Sequence, residues 1–140
     1  MYFRSGGRNE KDRYAYNYLT VEQFLKIKVY GKNLSDFFEK NNFKNIAICG
    51  VDSLGQLLSE ELKETSVNVK YFVDDSFIKM PFGMDGIKVI SANDIRTDKD
   101  IDVFVIASLF EGNDIIDRLL QNKVNIDKII SLSDVVYGLE

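Results

Sequence analysis

Gly50 and Gly55 stand at the two outer positions of a G-x-G-x-x-G turn, and Asp52 occupies the middle one. In such a turn the first glycine allows the tight reversal and the last lets a helix pack closely on the strand before it. The middle glycine lets the backbone approach a pyrophosphate. The run Ile46-Ala47-Ile48-Cys49 ahead of the turn is apolar, and Leu54, Leu57, Leu58 and Leu62 follow at helical spacing. The expected unit is therefore strand, turn, helix. A helix starting near Ser53 offers unpaired backbone N–H groups and a positive dipole end to an anion, with the Ser53 hydroxyl beside them. Asp74 ends the next apolar run 19 residues beyond Gly55, close to the ~20 expected of a carboxylate that binds ribose hydroxyls. Asp75 adds a second carboxylate. It is open to a ribose or metal role, and equally to being a polar strand end.

Asp52 opposes the usual dinucleotide. Its side chain crowds the approach, and two like unit charges ~4 Å apart cost on the order of 4 kcal/mol at an effective dielectric near 20. The carboxylate can instead cap the helix, taking the amides a phosphate would use. A ligand with its phosphate displaced, or one without a phosphate, is the other reading.

Several chemistries are excluded outright. The chain has no histidine and one cysteine, which removes His-based general bases, Ser-His and Cys-His nucleophile pairs, intrachain disulfides and Cys-based zinc sites. No tyrosine has a lysine four residues on, so a Tyr-x-x-x-Lys catalytic pair is missing. Cys49, inside an apolar strand, reads as an inert core thiol. Glu111 and Asp114 lie near the expected crevice, but acids in a helix's first turn also follow from the dipole. No catalytic residue and no metal ligand set is assigned.

A net charge of −4 argues against a nucleic-acid footprint, and no apolar run approaches the ~20 residues of a membrane span. The first residues lack the apolar core of a signal peptide, so a cytoplasmic location is expected. With 140 residues, 45% hydrophobic and 29% charged, one globular domain is expected.

The elements needed to position the turn follow from periodicity. Residues 1–19 are polar and aperiodic and read as a mobile arm, with Tyr14, Tyr16 and Tyr18 packing on a neighbour. Residues 20–42 form a helical segment. Thr20 and Gln23 resemble a capping box, Val21, Phe24, Leu25 and Val29 share one helical face, Gly31 ends the helix, and Ser35 caps a second short one to Lys40. Residues 43–140 are the nucleotide-binding-type domain. Its strands are expected at Ile46–Cys49, Val67–Val73, Ile87–Ile90, Ile101–Ala107 and Lys128–Leu132. Between the last three fall a single turn capped by Ser91 and Asp94 and a helix carrying Ile115, Ile116, Leu119 and Leu120; Ser133 begins a terminal helix. Alternating strands and helices force parallel pairing, and right-handed crossovers give an α/β, doubly wound sheet of about five strands in the order 3-2-1-4-5. The crevice lies where growth of the sheet reverses, with Gly50–Gly55 on one side and Ala107, Ser108 and Leu109 on the other.

The runs Ile46–Gly50 through Gly55, Tyr71–Asp75, Gly86–Ile90 and Ile101–Ile106 together are similar to a Rossmann-like domain of bacterial surface-polysaccharide proteins. That domain opens nucleotide-sugar dehydratases and epimerases, is related to the start of sugar acyltransferases, and occurs in glycosyltransferase gene clusters. The resemblance covers roughly residues 20 to 137. It implies NAD(P) or a nucleotide sugar as ligand, with Gly50, Gly55 and Asp74 at the turn, packing and ribose positions. This chain carries Asp52 where those domains commonly have glycine or another small residue, and their separate catalytic domains have no counterpart in it. The cofactor-binding set is Gly50, Asp52, Ser53, Leu54, Gly55, Asp74, Asp75, Ala107 and Ser108. The function implied is a non-catalytic or degenerate nucleotide or nucleotide-sugar binding module of polysaccharide biosynthesis. It would work with a glycosyltransferase or other polysaccharide enzyme, or by self-association across its N-terminal helices. An NAD-dependent sugar-nucleotide oxidoreductase fragment and a ligand-free interaction scaffold are the alternatives.

Overall fold

The apolar runs pair as a five-stranded, all-parallel sheet in the order β3-β2-β1-β4-β5. The computed structural model describes residues 10–76, 83–108 and 112–139. The strands are β1 (Asn45–Cys49), β2 (Asn68–Val73), β3 (Val89–Ile90), β4 (Val103–Ile106) and β5 (Ile129–Ser131), and the helices are α1 (Glu10–Val29), α2 (Leu34–Lys40), α3 (Ser53–Leu62), α4 (Gly112–Gln121) and α5 (Leu132–Tyr137). No described helix is long and apolar enough to cross a membrane. Leu109 and Glu111, together with residues 1–9 of the arm, lie outside the described residues.

Side chains alternate across a strand, so β1 sends Ile46 and Ile48 to one core and Ala47 and Cys49 to the other. Leu54, Leu58 and Leu62 of α3, Phe38 of α2 and Val135 and Val136 of α5 join the first core. Ile115, Ile116 and Leu119 of α4 join the second. The register of β2 against β1 slips at one point: Ile46 opposes Val69 while Ala47 opposes Tyr71. The skipped residue, exposed Lys70, is a bulge. It lets Val69 and Phe72 both face the first core although they stand three positions apart, an odd offset.

The N-terminal helices depart from the sequence reading. α1 runs from Glu10, so Thr20 is in mid-helix and caps nothing; its hydroxyl donates to the Tyr16 carbonyl at 3.0 Å. α2 begins at Leu34 after Asn33, and Ser35 is buried inside it rather than capping it. The buried face of α1 is also inverted. Thr20, Gln23 and Ile27 point inward, whereas Val21, Leu25 and Val29 point out and Phe24 is half-buried. Ile27 packs into the first core, and long-range bonds accompany this orientation. Gln23 Nε2 reaches the Val136 carbonyl (3.5 Å), Tyr137 OH the Leu19 carbonyl (3.3 Å), Lys32 Nζ the Leu139 carbonyl (2.5 Å), and Lys28 pairs with Glu61 (2.9 Å). The terminal helix begins one residue before Ser133, with Ser131 and Asp134 forming a reciprocal capping box.

The second core carries two groups with alkaline consequences. Burial, reinforced by Asp74, pushes the Cys49 thiol well above the ordinary thiol range, so it is unreactive in the native fold. Burial, then Cys49, Asp100 and Asp98, raises Tyr71 from its ordinary 10.0 to about 12. Both groups hold their protons more tightly folded than unfolded. Their contribution to stability is therefore intact below the unfolded pKa and lost as pH rises toward the folded one. Urea midpoints are expected to fall from about pH 9, where the unfolded thiol titrates, through about pH 12, and Tyr71→Phe to flatten the part above pH 10. An equally steep loss in the variant would place the sensitivity elsewhere.

Candidate functional site

The turn after β1 is built by its two glycines in different ways. Gly50 has φ +114°, where a side chain is strained, and a Cβ there would meet the Ala107 carbonyl oxygen and Ser108 Cβ at 3.2 Å each. Its N–H donates to the Val73 carbonyl at 2.9 Å, and the Ala107 N–H to the Cys49 carbonyl at 2.9 Å, so the turn is tied to strands on both sides. At Gly55 a Cβ would overlap the Gly50 carbonyl oxygen, so the helix meets the strand end with no room for a side chain.

Asp74 is the centre of the arrangement. It is 7% exposed at the end of β2. Its Oδ2 accepts from the buried Val51 N–H at 3.0 Å and its Oδ1 from the Ser76 N–H at 3.0 Å. It therefore braces the glycine turn. A carboxylate has about four lone-pair sites, so two remain for another donor. Asp75 accepts from the Ala92 N–H at 3.1 Å through Oδ1 and forms an ion pair with Arg118 of α4. The two acids, with Ser76, Ala92, Asp114, Ile115 and Arg118, line a cavity of about 110 Å³ at the carboxyl end of the sheet. The sequence reading had left out Arg118. Asp114 and Arg118 are four residues apart and so share one face of α4, a spacing that marks both for the same cavity.

Asp52 sits at the N-cap position of α3 in extended conformation, but its side chain makes no cap bond. The capping role read from the sequence is thereby corrected. With ψ near −172°, the chain enters the helix with Gln56 N–H bonded to the Asp52 carbonyl (3.0 Å), and the side chain takes none of the first-turn amides. Ser53 is exposed at the mouth of the turn and Leu54 is buried against α1.

The rest of the predicted set lies elsewhere. Ala107, Ser108 and Leu54 border a separate cavity of about 30 Å³ with Tyr16, Thr20 and Ser133, room for about one water. α1 roofs it: Tyr16 OH and Ser133 Oγ lie 2.5 Å apart, and Ser133 Oγ is 2.7 Å from Ser131 Oγ. The crevice is thus divided. Among the described residues, its β2 side bears Asp74 and Asp75, and its β4–β5 side is lined by α1. Asp74, Asp75 and Asp114 line the cavity on the β2 side with one guanidinium, that of Arg118, which is already paired with Asp75. Such a site suits a ligand that presents hydrogen-bond donors more than one that presents bare phosphate. Among the described residues no group of three or more His, Cys, Asp or Glu is placed to hold a metal. No family model and no curated protein matches the chain.

Proposed function

We propose that the chain is a non-catalytic module that binds a nucleotide or nucleotide sugar, working in the cytoplasm beside an enzyme of surface-polysaccharide synthesis. The observation that carries the ligand class is Asp74. It is buried, bonded to the Val51 amide of the glycine turn, and lines the cavity at the carboxyl end of the sheet with acceptor capacity to spare. Ribose hydroxyls are the donors that match it. The link to polysaccharide synthesis rests on the resemblance of the strand and turn segments. The α1 roof over Ala107 and Ser108 favours a ligand that ends at one nucleoside over a dinucleotide spanning the whole sheet edge.

Calorimetric titration with UDP, UDP-sugars, NAD, NADP and coenzyme A tests this reading. Saturable binding of UDP or a UDP-sugar is expected, with NAD bound no more tightly than AMP. NAD binding far tighter than AMP binding would favour an oxidoreductase fragment. No binding at millimolar ligand would leave an interaction scaffold. Asp52→Gly is expected to tighten the phosphate-bearing ligands about tenfold, equivalent to ~1.4 kcal/mol of repulsion removed at a partly solvated site. Unchanged affinity in that variant would show that the ligand's phosphate does not approach the turn.

A further inference from the structure

α1 turns Thr20, Gln23 and Ile27 inward, yet its outer face carries an apolar stripe. Thr20 and Gln23 are inside, while Tyr14 is 53% exposed, Tyr18 65%, Val21 38%, Leu25 61% and Val29 81%. At 100° per residue these five fall within an arc of about 80°, opposite the inward face. Spacings of four, three, four and four residues form a straight seam about 22 Å long at 1.5 Å per residue. Solvated helices normally show the reverse arrangement, with the apolar stripe toward the core. A contiguous apolar patch of this size on a protein surface marks an interaction site.

We infer that the occupant of this seam is a second copy of the chain, packed with its α1 antiparallel to the first. Two observations select a copy of the same chain. The seam is self-complementary about a two-fold axis between Val21 and Glu22: antiparallel alignment sets Tyr14 against Val29 of the second copy and Tyr18 against its Leu25, and brings the two Val21 side chains together at the centre. Each large ring then meets an aliphatic side chain, so the seam fills evenly from end to end. The area is also sufficient. The exposed fractions amount to roughly 600 Å² per copy, so a pair buries on the order of 1,200 Å², the lower edge of specific interfaces. Glu22 lies near its own symmetry mate, and Lys26, one turn on along the same flank of each copy, offsets that repulsion. The seam is on the outer face of α1, away from the Asp74 cavity, so pairing and ligand binding are independent.

Sedimentation equilibrium of the full chain at about 100 µM, a concentration suited to an interface of this small size, is expected to give twice the 16.1 kDa monomer mass. Dilution should dissociate it. Tyr18→Glu with Leu25→Glu is expected to give a monomer whose circular dichroism matches the parent and whose unfolding midpoint matches that of the parent diluted until it dissociates, because both residues are exposed. For the register, oxidising a mixture of Tyr18→Cys and Leu25→Cys chains should yield the mixed disulfide at least tenfold over either self-linked species. A monomer at that concentration, a dimer that survives the double glutamate substitution, or self-linked Tyr18→Cys in excess would each overturn the proposal.

Discussion

Gly55→Ala is expected to destabilise the protein by about 3 kcal/mol or more, enough to leave a large fraction unfolded at 25 °C in a domain of ordinary marginal stability. The reason is positional. The added Cβ would overlap the Gly50 carbonyl oxygen, a main-chain atom that no rotamer can move aside. Relief requires α3 to lift from β1, which opens the packing of Leu54 and Leu58 in the first core. Gly50 itself cannot shift freely, because its N–H is bonded to Val73 and the Ala107 carbonyl oxygen lies 3.2 Å from where its Cβ would be. Gly31→Ala is the control. Its φ is +76° but open space surrounds it, so only the backbone penalty of about 1 kcal/mol applies. Urea midpoints of the two variants separate the mechanisms. Similar losses for both would mean that the α3–β1 contact is softer than its geometry implies.

Asp74→Ala is expected to cost about 2 to 4 kcal/mol, because it strips the acceptor from two backbone amides at once, one of them the buried Val51 N–H. Asp74→Asn should cost less, about 1 kcal/mol: the amide oxygen can serve one N–H while its NH₂ group faces the other. This pair of variants separates the structural and ligand roles. At a temperature where Asp74→Asn is fully folded, the turn is in place but the second acceptor oxygen is gone. Loss of most UDP-sugar affinity in that variant would mark Asp74 as a ligand contact as well as a brace. Retained affinity would confine Asp74 to holding the turn.

The sheet order, strand positions and both glycine roles were legible in the sequence, because each rests on a local signal. A short apolar run marks a buried strand, and leucines at helical spacing mark the face of α3. Gly50 and Gly55 mark places where one backbone must meet another. Parallel pairing and crossover handedness then reduce the orders open to five such strands to a few, and the sheet has the expected one, 3-2-1-4-5. The bulge at Lys70 was not legible: nothing near Lys70 signals it, and it follows from how β2 must lie against β1 for Val69 and Phe72 to share a core.

What only the tertiary structure decided is which partner each surface finds. Val21, Leu25 and Val29 share an apolar helical face, and by periodicity alone that face belongs in a core. It faces outward: Ile27 packs into the first core, and bonds from Gln23, Lys28 and Lys32 to residues dozens of positions away accompany that orientation. Asp52 has the residue type of a cap and stands at the cap position, yet the path of the chain into α3 leaves its side chain without the cap bond. Asp74 is 23 residues from Val51 in sequence and 3.0 Å from it in space. No local pattern encodes that distance, because it is set by packing β2 beside β1. The sequence by itself determined a glycine turn aimed at a crevice. That Asp74 holds this turn and that α1 packs beside Ala107 and Ser108 came from the folded chain, because both depend on contacts between segments that local periodicity does not relate.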